Sequence, residues 1–262
     1  MNKELEQIKL LIKENSSFYD PKEGKLIRSK LGLLWLKATK TEITNEIIKF
    51  LSSIELIHNA SLLHDDVIDN EQTRRNSNTI NSQLGNKTAI LYGNITLINA
   101  LKLINNIELY KIITNTLTDM CNGELKQISQ LGNIPTLGEY LKKTNLKTTS
   151  LFKAIFKGLF ELTQKDEFKH AEQFAEAYGN AFQIKNDLND YKQGIDKSKD
   201  IIAGIYTAPI IFINKIETSN IAIEKTISLI DNYKRGALEQ LEVLRDNEYK
   251  TALIEKIECL TN

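Results

Sequence analysis

Proline is scarce in this chain, at 3 in 262 residues, and glycine is modest, at 12. So few breakers exclude a many-stranded sandwich or barrel, which would need turn residues at short, regular intervals. Cysteine is scarcer still: Cys121 and Cys259 lie far apart and in no CxxC pair. That excludes a disulfide framework and points to two free thiols in a reducing compartment. No sign of charge predominates, since 34 basic side chains match 34 acidic ones. No nucleic-acid partner is expected without a basic excess. No apolar run approaches the roughly 20 residues that span a bilayer. The segment MNKELEQIKLLIKEN carries Glu4 and Glu6 and lacks the short apolar core and small-residue cleavage site of a signal peptide. A cytoplasmic protein with no transmembrane segment is expected. What remains is an ordinary globular composition, 41% apolar and 26% charged, long enough for a sizeable core.

Apolar residues recur at helical spacing through most of the chain. Leu5, Ile8, Leu11 and Ile12 form one stripe, Pro21 interrupts, and Leu26 to Leu36 reads as a deeply buried helix. Thr44 to Ile68 reads as a long helix, and the polar stretch Asn70 to Asn86 as a long loop. Helices are expected over about 87–104, 108–130, 139–163, 167–193, 200–214 and 219–257, with Gly194 and Gly236 as ends or breaks. No repeat and no linker composition appears, so one all-α domain over residues 1–262 is predicted.

The residues that carry chemistry are acidic and lie at helix ends. Asp65 and Asp69 in LLHDDVID are four apart on one face, with Asp66 beside them. Three carboxylates there repel one another and oppose the helix dipole, which favours cations at a C-terminus. Either the end is simply solvated, or a cation sits there, and Mg²⁺ with phosphate oxygens fits that chemistry. Arg74 and Arg75 follow in the polar stretch; Lys25 and Arg28 are three apart upstream; His58 lies two turns before Asp65. Arg meets phosphate with a planar fork and Lys as a point charge. Together these groups suggest two anions, one met through metal and one by side chains. A second acidic pair, Asp187 and Asp190 in FQIKNDLNDY, also ends an apolar stretch.

On these residues the sequence resembles the trans-prenyltransferases, or polyprenyl diphosphate synthases, from about Gly24 to Pro209. IELIHNASLLHDDVIDNEQTRR carries the resemblance most specifically. GKLIR at 24–28, GELKQ at 123–127, Lys147-Thr148, FQIKNDLND at 182–190, and Asp200 through Thr207-Ala208-Pro209 support it. The resemblance implies the isoprenoid synthase type I fold: about ten or more helices around a central apolar cavity, in a homodimer. It implies a condensation of isopentenyl diphosphate with an allylic diphosphate. Asp65, Asp66, Asp69, Asp187 and Asp190 would hold Mg²⁺; Arg74, Lys147 and Gln183 would contact the allylic substrate; Lys25, Arg28, His58 and Arg75 would hold isopentenyl diphosphate. Ionisation of the allylic diphosphate, attack by the isopentenyl double bond and loss of a proton, with released diphosphate as acceptor, complete the implied reaction.

Three positions depart from the family pattern. Asn186 stands where an Asp is usual, Asn94 follows Gly93 in place of Asp, and Ile205 replaces a common diphosphate-binding Lys. Ser61 and Ala60, four and five residues before the first Asp, are small where bulky side chains stop elongation early. The expected product therefore has about twenty carbons or more and is handed on to a membrane. Two rival readings are a class I terpene synthase and a catalytically impaired partner subunit of a heteromeric synthase. The terpene synthase motif fails at Asp190 and Gly194, and the intact first acidic group weighs against an impaired subunit.

Overall fold

The computed structural model describes residues 1–16, 24–74, 77–195, 197–216 and 218–261. Arg75 and Pro21 lie outside the described residues. Contacts group the chain into two compact units, Met1–Lys111 with Glu161–Thr163, and Ile112–Phe160 with Gln164–Asn262.

The first unit holds α1 (Asn2–Asn15), α2 (Ile27–Ala38), α3 (Asn45–Ile68), a hairpin of β1 (Thr73–Arg74) and β2 (Ser77–Asn78), α4 (Ile80–Leu84) and α5 (Asn86–Lys102). Its axis is α3, which packs along α5 and also meets α1, α2 and α4. Thr44 caps α3, accepting from the Ile47 amide at 3.3 Å, with Glu46 favourably placed in the first turn. Ile47, Ile48, Phe50, Leu51, Ile54, Leu56 and Ile57 are all buried, so this helix is apolar nearly all round, as a central element must be. The hydroxyls of Ser52 and Ser53, also buried, return to the Ile48 and Phe50 carbonyls at 2.8 and 2.7 Å. The polar stretch expected as one loop is folded into the antiparallel hairpin, pairing Arg74 with Ser77, and the short α4.

The second unit holds α6 (Ile107–Ser129, from Ile112 on), α7 (Leu137–Thr144), a π-turn (Asn145–Thr149), α8 (Ser150–Thr163, as far as Phe160), α9 (Glu167–Tyr191), α10 (Lys199–Ile202), α11 (Ala208–Ile216), α12 (Ser219–Glu239), a 3₁₀ turn (Gln240–Val243) and α13 (Glu248–Glu258). Here α9 is central, packing on α12, α11, α7 and the π-turn. Phe152 of α8 meets Tyr178 and Phe182 of α9 edge-on at 5.6 and 5.7 Å, and Phe156 meets Phe174 at 5.6 Å. A capping box of Thr136 and Glu139 starts α7.

The single helix expected over 139–163 is divided by the π-turn, a local widening that often marks functional sites. Gly194, with φ of 105°, does close the region after α9. Gly236 does not break a helix: it lies inside α12, and the interruption comes at 240–247. No helix among the described residues is long and apolar enough to cross a membrane.

Two glycines in helices have opposite reasons for being there. A Cβ on Gly123 of α6 would lie 2.6 Å from the Lys147 backbone nitrogen, so only glycine lets α6 approach the π-turn. A Cβ on Gly236 would meet nothing nearer than Ala177 Cβ, at 3.9 Å. Gly123→Ala is expected to cost about 1–3 kcal/mol by overpacking, and Gly236→Ala to gain about 0.5–1 kcal/mol of helix propensity. Urea unfolding midpoints of the two variants should move in opposite directions.

Candidate active site

In the first unit, the end of α3 and the hairpin form one polar assembly. Asp66 is the buried member of the acidic triplet at 5% exposure, Asp65 is half-buried, and Asp69, at the C-cap, is exposed. Arg74 Nε donates to Asp66 Oδ1 at 2.6 Å, so the hairpin carries this guanidinium onto the helix end. The backbone there is tied as well. Asn81 Nδ2 donates to the Asp66 carbonyl at 3.1 Å and to that of Glu71 at 2.9 Å, and Thr79 Oγ1 donates to Glu71 O at 2.7 Å. His64 stacks its ring where a side chain on Gly93 would be, since a Cβ there would fall 2.3 Å from Nε2. Ala60 is buried, and Ser61 is half-buried with its hydroxyl on the His58 carbonyl at 2.9 Å. Lys25 is exposed, His58 is half-buried, and Arg28 sits buried in the first turn of α2.

In the second unit, Asp187 is buried at 4% exposure and accepts from Tyr140 Oη and Gln183 Nε2, both at 2.6 Å. Thr148 Oγ1 donates to Gln183 Oε1 at 3.1 Å, which fixes the amide's orientation. Burial pushes the Asp187 carboxyl above its ordinary range, against the pull of Lys143, Tyr140 and Gln183. Lys143, buried near Asp187 and Asp200, is held below the usual lysine range by desolvation, and its Nζ reaches Gln127 Oε1 at 3.4 Å. Lys147, in the π-turn, pairs with Glu124 of α6. Asp190 accepts from the Ser198 hydroxyl and from the amides of Lys199 and Asp200 at 3.3 and 3.4 Å, so it braces the start of α10, which Ser198 caps. Asp200 is pushed up to about 7 by burial and by the charges of Asp187 and Asp190.

Thus Gln183, Asp187 and Thr148 are brought together, as are Asp66 and Arg74. Of the departures, Asn186 and Asn94 are exposed and Ile205 is half-buried. Sequence reasoning missed Tyr140 and Lys143, and left Asp200 and Glu124 of GELKQ, both within matched stretches, without a role. Their signal was weak: a tyrosine seven residues before Lys147 and an acid in a short connection are common. Among the described residues, no three His, Cys, Asp or Glu side chains converge as a ready-made metal cage. Mg²⁺ in phosphate chemistry rarely needs one, taking one or two carboxylates and completing its shell with water and substrate oxygens. The crowded acids around Asp187 and Asp200 fit that mode of binding.

The family model for polyprenyl synthetase matches residues 10–243. The decaprenyl-diphosphate synthase of Dictyostelium discoideum is 32% identical over 273 residues, covering 91% of this chain and 60% of that protein. Four curated relatives are spanned by the chain over only 50% to 63% of their own length. In structure, the heptaprenyl diphosphate synthase of Staphylococcus aureus aligns with TM-score 0.87 at 24% identity, covering 99% of this chain and 97% of that one. A polyprenyl synthase of Caulobacter crescentus, solved with calcium and isoprenyl diphosphate, aligns with TM-score 0.87 at 20% identity, over 100% and 95% of the two chains. These structural likenesses establish the isoprenoid synthase fold for an almost wholly helical chain. With the family match running through both acidic groups, the chain belongs to the polyprenyl synthetase family.

Proposed function

We propose that the chain is a chain-elongating trans-prenyltransferase that condenses isopentenyl diphosphate with an allylic diphosphate. The observation that carries this reading is the second unit's group: a buried Asp187 held by Tyr140 and Gln183, crowded by Asp190 and Asp200, with Lys143 and Lys147 close by. Such a group suits a polyanionic substrate bound together with a cation. The family uses a divalent metal to ionise the diphosphate, and we take it to be Mg²⁺. Asp65, Asp66 and Asp69, with Asp187 and Asp190, would hold it, and Asp200 joins this group. Bound there, it would act as a Lewis acid on the oxygens of the departing diphosphate.

The chain's own residues supply the rest. Lys147 and Arg74 would leave Glu124 and Asp66 for the allylic diphosphate, exchanging a carboxylate for an anion with more charge and more acceptor oxygens. Tyr140 and Gln183 hold Asp187 in place and oppose the rise that burial imposes on its carboxyl. Lys25, Arg28, His58 and Arg75 would hold isopentenyl diphosphate. The allylic carbon–oxygen bond breaks first, the isopentenyl double bond then attacks the allylic cation, and the released diphosphate takes up the proton that is lost. The buried Ala60 and small Ser61 support a long product, of about twenty carbons or more, as do relatives named for ten- and seven-unit products.

The same reading takes residues 1–262 as one polyprenyl synthase-like domain, supported by a family match that runs through both units. It takes the assembly to be a homodimer, supported by the exposed Ile90, Leu91, Ile95 and Ile98 on α5, an apolar patch that a solvated helix would not carry. A cytoplasmic, reducing setting is supported by the exposed free thiols of Cys121 and Cys259.

Three expectations follow from this chemistry. Purified chain with Mg²⁺, isopentenyl diphosphate and a short allylic diphosphate should yield elongated products by mass spectrometry, and Asp187→Asn should lower kcat/KM by about 10²–10³-fold. Hydrocarbon release without isopentenyl consumption would instead identify a cyclase, and turnover only with a second subunit an obligate partner. Ala60→Phe and Ser61→Phe should each shorten the product; an unchanged length distribution would remove these positions from the tail's path. The third concerns pH. Asp200 keeps its proton in the folded chain up to about 7, whereas an ordinary aspartate loses it near 3.8. Between those values the folded state binds more protons than the unfolded one, so this group lowers stability as pH rises through that window. In metal-free buffer, Asp200→Asn should flatten the fall in urea midpoint over that range.

A further inference from the structure

α2 begins without a cap of its own. Its N-cap residue, Leu26, is buried in the left-handed region at φ 47°, a costly conformation for a branched side chain, and no side chain caps the helix locally. The missing acceptor comes from α3. The Ser29 amide donates to Glu55 Oε1 at 2.9 Å, and the Ser29 hydroxyl reaches the Leu51 carbonyl at 3.3 Å. Glu55 is only 3% exposed, Arg28 8% and Ser29 not at all. Burial raises the Glu55 carboxyl, and the positive charge of Arg28, the Ser29 bonds and Lys30 oppose that rise. A buried carboxylate is costly to keep, and a leucine of similar volume would fill the space at lower desolvation cost. The charge is therefore retained for what it holds. It holds the first turn of α2, where Arg28 lies, and it sits three residues before His58 on the same face of α3.

We infer that Glu55 is a positioning residue for isopentenyl diphosphate, anchoring the start of α2 and orienting Arg28 toward the substrate's diphosphate. This rests on the proposed reading of Lys25, Arg28 and His58 as the isopentenyl-binding set. Glu55 itself touches no substrate. Its effect passes through Arg28, so it bears on one of the two substrates and spares the other.

The test uses the full chain with Glu55→Gln, which keeps the shape and an acceptor for Ser29 but removes the charge facing Arg28. Isopentenyl diphosphate binding, followed by titration calorimetry, should weaken about tenfold, the scale of one hydrogen bond to a charged group. KM for isopentenyl diphosphate should rise with it, while kcat and the allylic KM stay within about twofold. Arg28→Ala should weaken the same binding, and the double variant should be no worse than Arg28→Ala alone, because both changes remove one arrangement. Glu55→Asp, keeping the charge at shorter reach, should lose less than Glu55→Gln. Equal losses for both substrates, a Glu55→Asp defect as large as the Gln one, or additivity with Arg28→Ala would overturn the inference. Normal binding in Glu55→Gln alongside weakened binding in Arg28→Ala would overturn it too, leaving the isopentenyl-site reading intact. Unchanged binding in Arg28→Ala would overturn that reading, and the inference with it.

Discussion

With 4% of its surface exposed, Asp187 can remain a carboxylate only if hydrogen bonds and nearby positive charge replace the water it has lost. Much of the second unit's local architecture serves that requirement. Tyr140 must come from α7, Gln183 from the preceding turn of α9, and Lys143 from the last turn of α7. The π-turn that follows α7 puts Thr148 against the far end of the Gln183 amide, so the donor that reaches Asp187 cannot rotate away. It also displays Lys147 toward Glu124, on a helix that comes close only because position 123 has no side chain. Disturb the buried carboxylate, and α7, the π-turn and α9 all lose a reason for their register.

The first unit solves a similar problem with a different geometry. Asp66 is covered by Arg74, carried in on a hairpin, and Glu55 is met by Ser29 and by the charge of Arg28. Cations suited to phosphate are thus held beside carboxylates in the chain itself. Such pairs contribute little net stability, because desolvation offsets most of their attraction. What they provide is orientation: a guanidinium or ammonium fixed in place has less freedom to lose when an anionic ligand arrives.

This division explains what could be read from the chain before its structure. Helices were legible because burial imposes a period on α9 and a long apolar run on α3, and the acidic groups were legible because carboxylates crowded at a helix end repel one another. The hairpin at 73–78 was not, since two-residue strands rich in polar side chains carry no alternation. The π-turn was not, because Asn145–Thr149 has the composition of an ordinary helix and widens only to suit its neighbours. Gly236 misled for the converse reason: glycine suggests a break, yet a long helix packed along α9 carries it without one. Tyr140, Lys143 and Glu55 escaped because their roles are relational. Each matters for the charged group it faces, and facing is a property of the fold.

The same electrostatics give a physical sense to Asn186. Asp187, Asp190, Asp200 and Glu124 are four acids, set against Lys143 and Lys147, with Glu124 already spent on Lys147. Burial, with the charges of Asp187 and Asp190, drives Asp200 up to about 7. A fifth carboxylate beside Asp187 would raise these groups further, by the same repulsion that already operates. Position 186 is exposed, and an amide there keeps the polarity of the helix surface without adding to the load. Asp200 is no replacement for the acid usual at 186, since it lies in the stretch that itself matches the family; its amide is held by Asp190 at 3.4 Å.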